Sequence, residues 1–416
     1  MPWLGGPRLK FRVGIAAVGD SEDVATWSGT PHYLLRAGRR REFLTDGLNL
    51  RIGALPRMRL SWQARQVLKG RRPRGFQYSP SFLRALGNRA VEECGRLGVG
   101  DVISHYQLLP GAECLRAASI RTSFYIDSTL HDLFATHSML PVLDRSTVQE
   151  ALHREREEYH AAFRVVTMAR WAGESLERLY GLPKSSIHNV LAGANLPEES
   201  IDGWLFSKRR AVPADFNSSR PLRIGFTGKN WERKGLPRLV GAAEILERMG
   251  MHVEIVAIGP LAARFRGHPR VRATGFLDKA TEMDRFVEAL LSCDIGCAPS
   301  YEEPMGIAPL EFLRLGVPVV CTAVGGLVDI LEAAGSASLA ISRDVTAEEL
   351  AQHLEPLVRD PARLQAMSQF AWRRKEHFSW DRTVAELKDI WKGDADAKGY
   401  LSSSILQGDP QHGVAP

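Results

Sequence analysis

The feature that most constrains this chain is a regular alternation of short apolar runs with helical patterns, which occurs twice along its length. In the first half, five short apolar runs are typical of buried β-strands. They are residues 11–18, 101–104, 123–126, 164–168 and 187–191. Strands that alternate with helices favour a parallel sheet covered on both faces. The first half of the chain is therefore predicted to form an α/β domain.

The alternation stops at a polar, proline-bearing stretch and then begins again. Four further strands are predicted, at residues 222–226, 252–258, 295–298 and 318–321. Two α/β units of about 200 residues each predict two Rossmann-like domains that face an inter-domain cleft. The expected divisions are an N-terminal domain at 1–206, a linker at 207–220, a C-terminal domain at 221–375, a helix packing back on the first domain at 376–392, and a disordered tail at 393–416.

Length and composition exclude several other classes of protein. The 416 residues suffice for two cores, and 44% hydrophobic with 25% charged residues exclude a collagen-like or largely disordered chain. No run approaches the roughly 20 apolar residues that cross a bilayer, and no secretory signal is recognised. The five cysteines show no metal-ligand spacing. We therefore expect a cytoplasmic protein with reduced thiols.

Positive charge is concentrated in one stretch of the N-terminal half. Between Arg36 and Arg89 there are 14 Lys and Arg residues against two acids, a net charge of +12, although the whole chain carries only +6. Such a field attracts an anionic membrane surface or an anionic acceptor. Nucleic acid is not expected, because aromatic interleaving and binding motifs are missing. The alternative is a solvated basic loop without a specific partner.

The segment richest in chemical information runs from residue 298 to residue 321. A predicted strand ends, a loop follows and a short helix begins near Gly306 and Ile307, which is where open α/β sheets bind ligands. Free amides at the start of a helix suit a diphosphate. Glu303 and Glu311 flank this point, and carboxylates accept hydrogen bonds from hydroxyl pairs. The pattern favours a ligand with hydroxyl groups at both ends of a diphosphate.

Positive charge for that diphosphate is expected from the loop after the strand at 222–226. This loop carries Lys229 and Lys234 in the sequence Gly-Lys-Asn-Trp-Glu-Arg-Lys-Gly. Two ammonium groups and a helix start can disperse charge that develops on a leaving diphosphate. The chain contains no Gly-x-Gly-x-x-Gly and no Walker loop, which argues against an oxidoreductase or an NTPase.

These motifs together resemble the retaining GT-B glycosyltransferases of family 4, the glycosyl transferases group 1. Glu303-x7-Glu311, the following Gly-Val-Pro-Val-Val and the Gly325-Gly326 pair match that family, as does the spacing of Lys229 and Lys234. The resemblance covers nearly the whole chain and is strongest from about residue 160 to residue 392. It implies a GT-B fold and transfer of a sugar from a nucleotide-diphosphate sugar to a hydroxyl acceptor, a glycan or lipid-linked molecule of the cell surface.

The resemblance also implies roles for individual residues. Glu303 would hold hydroxyls of the donor sugar, Glu311 the ribose diol, and Lys229 and Lys234 the diphosphate. The remaining donor contacts would come from main chain or apolar groups at Gly29, Gly275, Phe276, Leu277, Gly306 and Ile307. No metal and no cofactor are expected, and the Asp-x-Asp at 394–396 is interpreted as chance.

Two questions stay open at this point. Many relatives have a catalytic histidine after the strand that ends near Ile126. The resemblance places Asp127 at that position, with His105 and His131 as alternative acceptor-side residues. Because the usual histidine is replaced, a second hypothesis also stays open: a non-catalytic GT-B protein that binds a nucleotide-sugar or a glycan. A nucleotide-sugar epimerase would share the architecture but would not explain the paired glutamates.

Overall fold

The computed structural model describes residues 12–136, 142–208, 212–213, 215–216 and 220–404. Its first half contains a six-stranded sheet in which every neighbouring pair is parallel, in the order β2-β1-β3-β4-β5-β6. The strands are β1 Arg12–Ala16, β2 Asp46–Gly47, β3 Val99–Ser104, β4 Arg121–Ile126, β5 Arg164–Thr167 and β6 Ile187–Asn189. The strand order reverses between β1 and β3, so a ligand crevice is expected at their carboxyl ends.

The second half repeats the arrangement with its own six-stranded parallel sheet, in the order β12-β11-β10-β7-β8-β9. The strands are β7 Leu222–Thr227, β8 Val253–Ile258, β9 Val271–Gly275, β10 Ile295–Ala298, β11 Val319–Thr322 and β12 Ser338–Ile341. Here the order reverses between β7 and β10, which pair Ile224 with Ile295 and Gly225 with Gly296. The predicted fold class, α/β with two Rossmann-like domains, is confirmed.

Helices cover these sheets on both faces. Those of the first half are α1 Thr30–Arg40, α2 Leu55–Leu68, α3 Pro80–Leu97, α4 Leu130–Thr136, α5 Arg145–Ala161, α6 Arg170–Ser175 and α7 Ile201–Lys208. Those of the second half are α8 Leu236–Arg248, α9 Ala263–Arg266, α10 Met283–Leu291, α11 Ile307–Arg314, α12 Leu327–Ala334, α13 Ala347–Arg359, α14 Pro361–Arg374 and α15 Trp380–Ser404. Part of the predicted linker at 207–220, namely 209–211, 214 and 217–219, lies outside the described residues.

The last helix, α15, returns from the second half to the N-terminal domain. Its Asp381 accepts a hydrogen bond from Arg40 of α1 at 2.8 Å, and the rings of Trp391 and Phe43 lie 5.6 Å apart. The helix continues to Ser404, so residues 393–404 are helical where a disordered tail is predicted. Good helix formers such as Ala395 and Ala397 let the backbone hydrogen bonds continue. Residues 405–416 lie outside the described part of the chain.

The basic stretch is largely helical, so the alternative of a solvated loop is wrong for most of its length. One side of α2 rests on the N-terminal core through Leu55, Met58 and Trp62. In α3, Phe82 and Leu86 are buried. These positions follow the helical spacing of three or four residues, but exposed apolar residues on the other face of α2 obscure the period in the sequence. Residues 71–74, between α2 and α3, form a loop.

Candidate active site

A cleft of about 460 Å³ lies between the two domains, at the carboxyl ends of strands from both sheets. The N-terminal domain contributes the loops after β1 and β4, and the C-terminal domain contributes the loops after β7, β9 and β10. Both points of strand-order reversal therefore open toward the same space. Predicted site residues that line it are Asp127, Lys229, Lys234, Phe276, Leu277, Glu303, Gly306, Ile307 and Glu311.

Glu303, in the loop between β10 and α11, is 8% exposed and is surrounded by cations. Its Oε2 lies 3.0 Å from Lys234 Nζ, 3.7 Å from Arg233 Nη1 and 3.3 Å from Ser300 Oγ. Burial raises the pKa of Glu303, but the charges of Lys234 and Arg233 outweigh burial and hold the pKa below its usual value. Glu303 is therefore a carboxylate and can accept hydrogen bonds from hydroxyl groups.

The loop that carries Glu303 is held by close backbone approaches. Gly326 donates its N–H to the Glu303 carbonyl at 3.1 Å, and Trp171 of the N-terminal domain donates Nε1–H to the Pro304 carbonyl at 2.8 Å. A Cβ at Gly325 would lie 2.1 Å from the Glu303 carbonyl oxygen, and the φ of this residue is +49°. The backbone of this loop leaves no room for a side chain here, which explains the Gly325-Gly326 motif.

Helix α11 begins at the cleft and places Gly306 and Ile307 at its lining. Gly306 precedes the helix with a φ of +93°, and a Cβ there would lie 2.4 Å from Leu327 Cδ2. No side chain caps the helix at this residue, so the first amides are free to bind an anion.

Glu311 lies beyond the first turn of α11. It is 2% exposed and forms an ion pair with Lys279 of the loop after β9. Burial raises the pKa of Glu311, although the Lys279 charge opposes the increase. Lys279 Nζ also donates to the Asn195 carbonyl at 3.3 Å and lies 4.4 Å from the Phe286 ring centroid.

Sequence reasoning missed Lys279, which lines the cleft beside Glu311. Its place in the sequence, two residues after the predicted contacts at Phe276 and Leu277, is the signal that could have drawn attention to it. A diol that binds Glu311 has to share the carboxylate with this ammonium group or replace it.

The two predicted lysines of the loop after β7 lie in different parts of the cleft. Lys234 forms the ion pair with Glu303, whereas Lys229 Nζ lies 5.4 Å from the ring centroid of Phe276. Phe276 and Leu277 line the cleft, and Gly275 lies just before them at the end of β9. Charge therefore extends from the centre of the cleft to its aromatic rim.

Asp127 follows β4 and lines the cleft from the N-terminal domain. It accepts a hydrogen bond from Ser128 Oγ at 3.0 Å. Burial raises the pKa of Asp127, and the negative charge of Glu303 raises it further. The two facing domains thus supply one carboxyl group with a raised pKa and one with a lowered pKa to the same space.

Neither predicted histidine lines the cleft. His131 lies on α4 with its side chain half exposed, and its Nδ1 is 3.7 Å from Asp132 Oδ1. His105 is fully buried, with Nδ1 2.6 Å from the Tyr125 carbonyl, so Nδ1 carries the proton. Burial lowers the pKa of His105 to about 4, and its ring stacks on Trp27 at 6.2 Å.

The loop between β1 and α1 adopts a rare backbone conformation at the edge of the cleft. Trp27, Ser28 and Gly29 have φ values of +48°, +58° and +92°, and Ser28 rather than Gly29 lines the cleft. Asn195, which sequence reasoning missed, donates Nδ2–H to the Ser28 carbonyl at 2.9 Å and accepts from Trp380 Nε1 at 3.0 Å. A buried amide thus fastens this loop to α15.

Among the described residues, no three His, Cys, Asp or Glu side chains gather in an arrangement that could hold a metal ion. The expectation that no metal is needed stays a prediction.

Two parallel six-stranded sheets that face a cleft at their carboxyl ends define the class of two-domain α/β proteins with the GT-B fold. Solved structures share this architecture. Sucrose-phosphate synthase from Thermosynechococcus elongatus gives a TM-score of 0.67 at 17% identity, covering 92% of this chain and 99% of that one. HepE from Anabaena, solved in complex with UDP, gives 0.61 at 14% identity, covering 92% of this chain and 100% of that one.

Within that class, residues 221–360 match the family described as "Glycosyl transferases group 1". This match agrees with the motifs in the second half of the chain, which are similar to those of the same family. A relative named D-inositol 3-phosphate glycosyltransferase, from Rhodococcus opacus, is 34% identical over 278 residues, which is 64% of this chain and 61% of that protein. The protein of the same name from Rhodococcus erythropolis is 26% identical over 286 residues, with the same two shares. The chain thus spans about three fifths of the length of these relatives.

Proposed function

We propose that this protein is a retaining glycosyltransferase that moves a sugar from a nucleotide-diphosphate sugar to a hydroxyl acceptor. One observation carries the proposal: Glu303 and Glu311 line the same cleft as the start of α11, and Lys234 forms an ion pair with Glu303 there. A diphosphate fits the amides and the ammonium group, and the carboxylates suit the hydroxyl groups on either side of it.

In this arrangement the chain's own residues stabilise the leaving group. Cleavage of the sugar–phosphate bond develops negative charge on the diphosphate, which Lys234, Lys229 and the amides of Gly306 and Ile307 disperse. Glu303 accepts hydrogen bonds from hydroxyls of the donor sugar. Glu311 accepts hydrogen bonds from the ribose diol after Lys279 leaves its ion pair with this carboxylate. The nucleobase lies beside Phe276 and Leu277 at the rim.

Asp127 acts on the acceptor side. It is the carboxyl group that the N-terminal domain presents to the cleft opposite Glu303, and its raised pKa suits a group that receives a hydrogen bond or a proton from an acceptor hydroxyl. His105 and His131 are less direct alternatives, because neither side chain lines the cleft.

Turnover by variants tests the proposal. Glu303→Ala and Lys234→Ala should each lower kcat by on the order of 10²-fold. Glu302→Ala is the matched control, since it removes the adjacent carboxylate, which pairs with Arg343 and does not line the cleft. Retention is read from the anomeric configuration of the product by NMR. Unchanged turnover in both site variants would contradict the proposal.

The non-catalytic alternative is separated by measuring binding and product together. Because HepE is solved in complex with UDP, UDP-sugars are the first donors to screen by thermal shift, followed by GDP- and ADP-sugars. The relatives' name adds D-inositol 3-phosphate to the glycan and lipid-linked acceptors to be tested. Stabilisation by a donor without product from any acceptor would favour a binding protein.

We further propose that the protein acts at an anionic membrane surface through helix α2, as expected for a cell-surface polysaccharide or glycolipid acceptor. Leu60, Val67 and Leu68 are 66%, 61% and 86% exposed and lie on one face of the helix, spaced i, i+7 and i+8. Exposed Arg57 and Arg65 accompany them. Aliphatic side chains flanked by arginines suit the headgroup region of anionic lipids. No helix in the described ranges is long and apolar enough to span a bilayer.

Liposome flotation tests this surface. Binding to vesicles with anionic lipid should be strong at low salt and should fade as salt rises. Leu68→Asp should weaken it, whereas Met249→Asp, at an exposed apolar residue of the other domain, should not. Equal flotation with neutral vesicles, or an unaffected Leu68→Asp variant, would remove the membrane role.

A further inference from the structure

The loop after β7 carries three cationic side chains, and they do not all lie in the same part of the cleft. Arg233 and Lys234 both face Glu303, with Arg233 Nη1 3.7 Å and Lys234 Nζ 3.0 Å from its Oε2. Lys229 instead lies over the ring of Phe276, 5.4 Å from the centroid. Arg233 lines the cleft together with the other two.

Arg233 is tied at several points to the loop that carries Glu303. Its N–H donates to Asn230 Oδ1 at 3.0 Å, and its carbonyl accepts from the Tyr301 N–H at 2.9 Å. Its Nη1 donates to the Glu302 carbonyl. These contacts fix both ends of the residue, so the guanidinium is held beside Glu303 before any ligand binds.

We propose that Arg233 binds the donor diphosphate together with Lys234 and contributes more to this binding than Lys229, which lies over the ring of Phe276. This inference rests on the proposed function. A guanidinium presents planar paired donors that match phosphate oxygens, which an ammonium group does not. Nη1 faces the Glu302 carbonyl and the Glu303 carboxylate, which leaves the other donors of the fork for the ligand. The proposed phosphate-binding arginine thus lies one position before Lys234.

A purely structural role is the competing explanation, because Arg233 also braces the loop at residues 301–303. The two roles differ in their dependence on the second phosphate of the ligand. A brace affects nucleoside monophosphate and diphosphate equally, whereas a phosphate ligand matters more for the diphosphate. Thermal unfolding reports separately on any loss of the brace.

Calorimetry on the full chain tests the inference, with whichever of UDP, GDP or ADP most raises the Tm of the wild-type protein and with the matching monophosphate. Arg233→Ala should weaken diphosphate binding at least about tenfold, and more than monophosphate binding. Arg233→Lys should be intermediate, and Lys229→Ala should cost less than Arg233→Ala. Arg343→Ala is the control, because Arg343 holds the same loop at Tyr301 and Glu302 without lining the cleft.

Each result has one meaning. Equal weakening of both nucleotides by Arg233→Ala, or unchanged diphosphate binding, overturns the assignment while the proposed function stands. If Arg233→Ala does not fold, Arg233→Lys decides by the same comparison of the two nucleotides. If the wild-type protein binds none of the three nucleoside diphosphates, the proposed function itself is contradicted.

Discussion

Replacing Lys279 with methionine removes the cation that neutralises Glu311 inside the cleft wall. The two side chains form an ion pair, and Glu311 is almost completely buried. Methionine fills much of the space of the lysine stem without its charge. The variant therefore leaves a carboxylate without its partner in a poorly solvated position.

The expected cost follows from how deeply the pair is buried. Breaking a fully buried pair costs about 3–5 kcal/mol, and because the Lys279 side chain keeps 18% of its exposure we expect about 2–3 kcal/mol. For a domain of this size that corresponds to a fall in Tm of about 4–12 °C.

The cost depends on pH, and its sign follows from Glu311. Burial raises the pKa of this residue above its usual 4.5 even with Lys279 present, and removal of the lysine raises it further. A native-state pKa above that of the unfolded chain lowers stability as pH rises between the two values. The Tm difference between wild type and Lys279→Met should therefore be small near pH 5 and large near pH 8.

Thermal unfolding of a double-mutant cycle with Glu311→Gln provides the assay. Glutamine removes the buried charge, so Lys279→Met should cost much less in that background, and the pH dependence of the difference should disappear. Strictly additive effects of the two substitutions at pH 8, or a loss independent of pH, would refute the electrostatic reasoning.

Three further substitutions are expected to have measurable effects. Gly306→Ala should lower Tm by a few degrees, because alanine is strained at a φ of +93° and its Cβ would meet Leu327; an unchanged Tm would contradict this. Asn195→Ala should cost about 1–3 kcal/mol, seen as a lower Tm, because the buried Trp380 Nε1–H loses its acceptor; full stability would show that water replaces the amide. Burial raises the pKa of Glu155 to about 8, so this residue should make wild-type Tm decline from about pH 5 to pH 8, and Glu155→Gln should make that decline shallower. Parallel Tm–pH curves for the two proteins would refute the assignment.

The alternation of strands and helices could be predicted from the sequence because buried parallel strands are continuous apolar runs, as at residues 222–226 and 295–298. Helix α2 could not, since it buries no residue fully and only its Leu55, Met58 and Trp62 side rests on the core. The end of α15 was also misplaced, because Gly393 and the acidic residues after it suggest a break that the helix passes through.

The paired glutamates and Lys234 could be predicted because their spacing along a strand, a loop and a helix fixes where they meet. Lys279, Arg233 and Asn195 escaped prediction for a different reason. Their importance depends on which loops meet across the cleft, and that is a property of packing between segments distant in sequence.

A crystal structure of the protein with its bound nucleoside diphosphate tests the central claim most directly. We expect the diphosphate at the start of α11 beside Lys234, and the ribose diol within hydrogen-bond distance of Glu311, with Lys279 displaced from its ion pair. A nucleotide bound elsewhere, or one bound while Glu311 remains paired with Lys279 and turned from the ribose, would contradict the account.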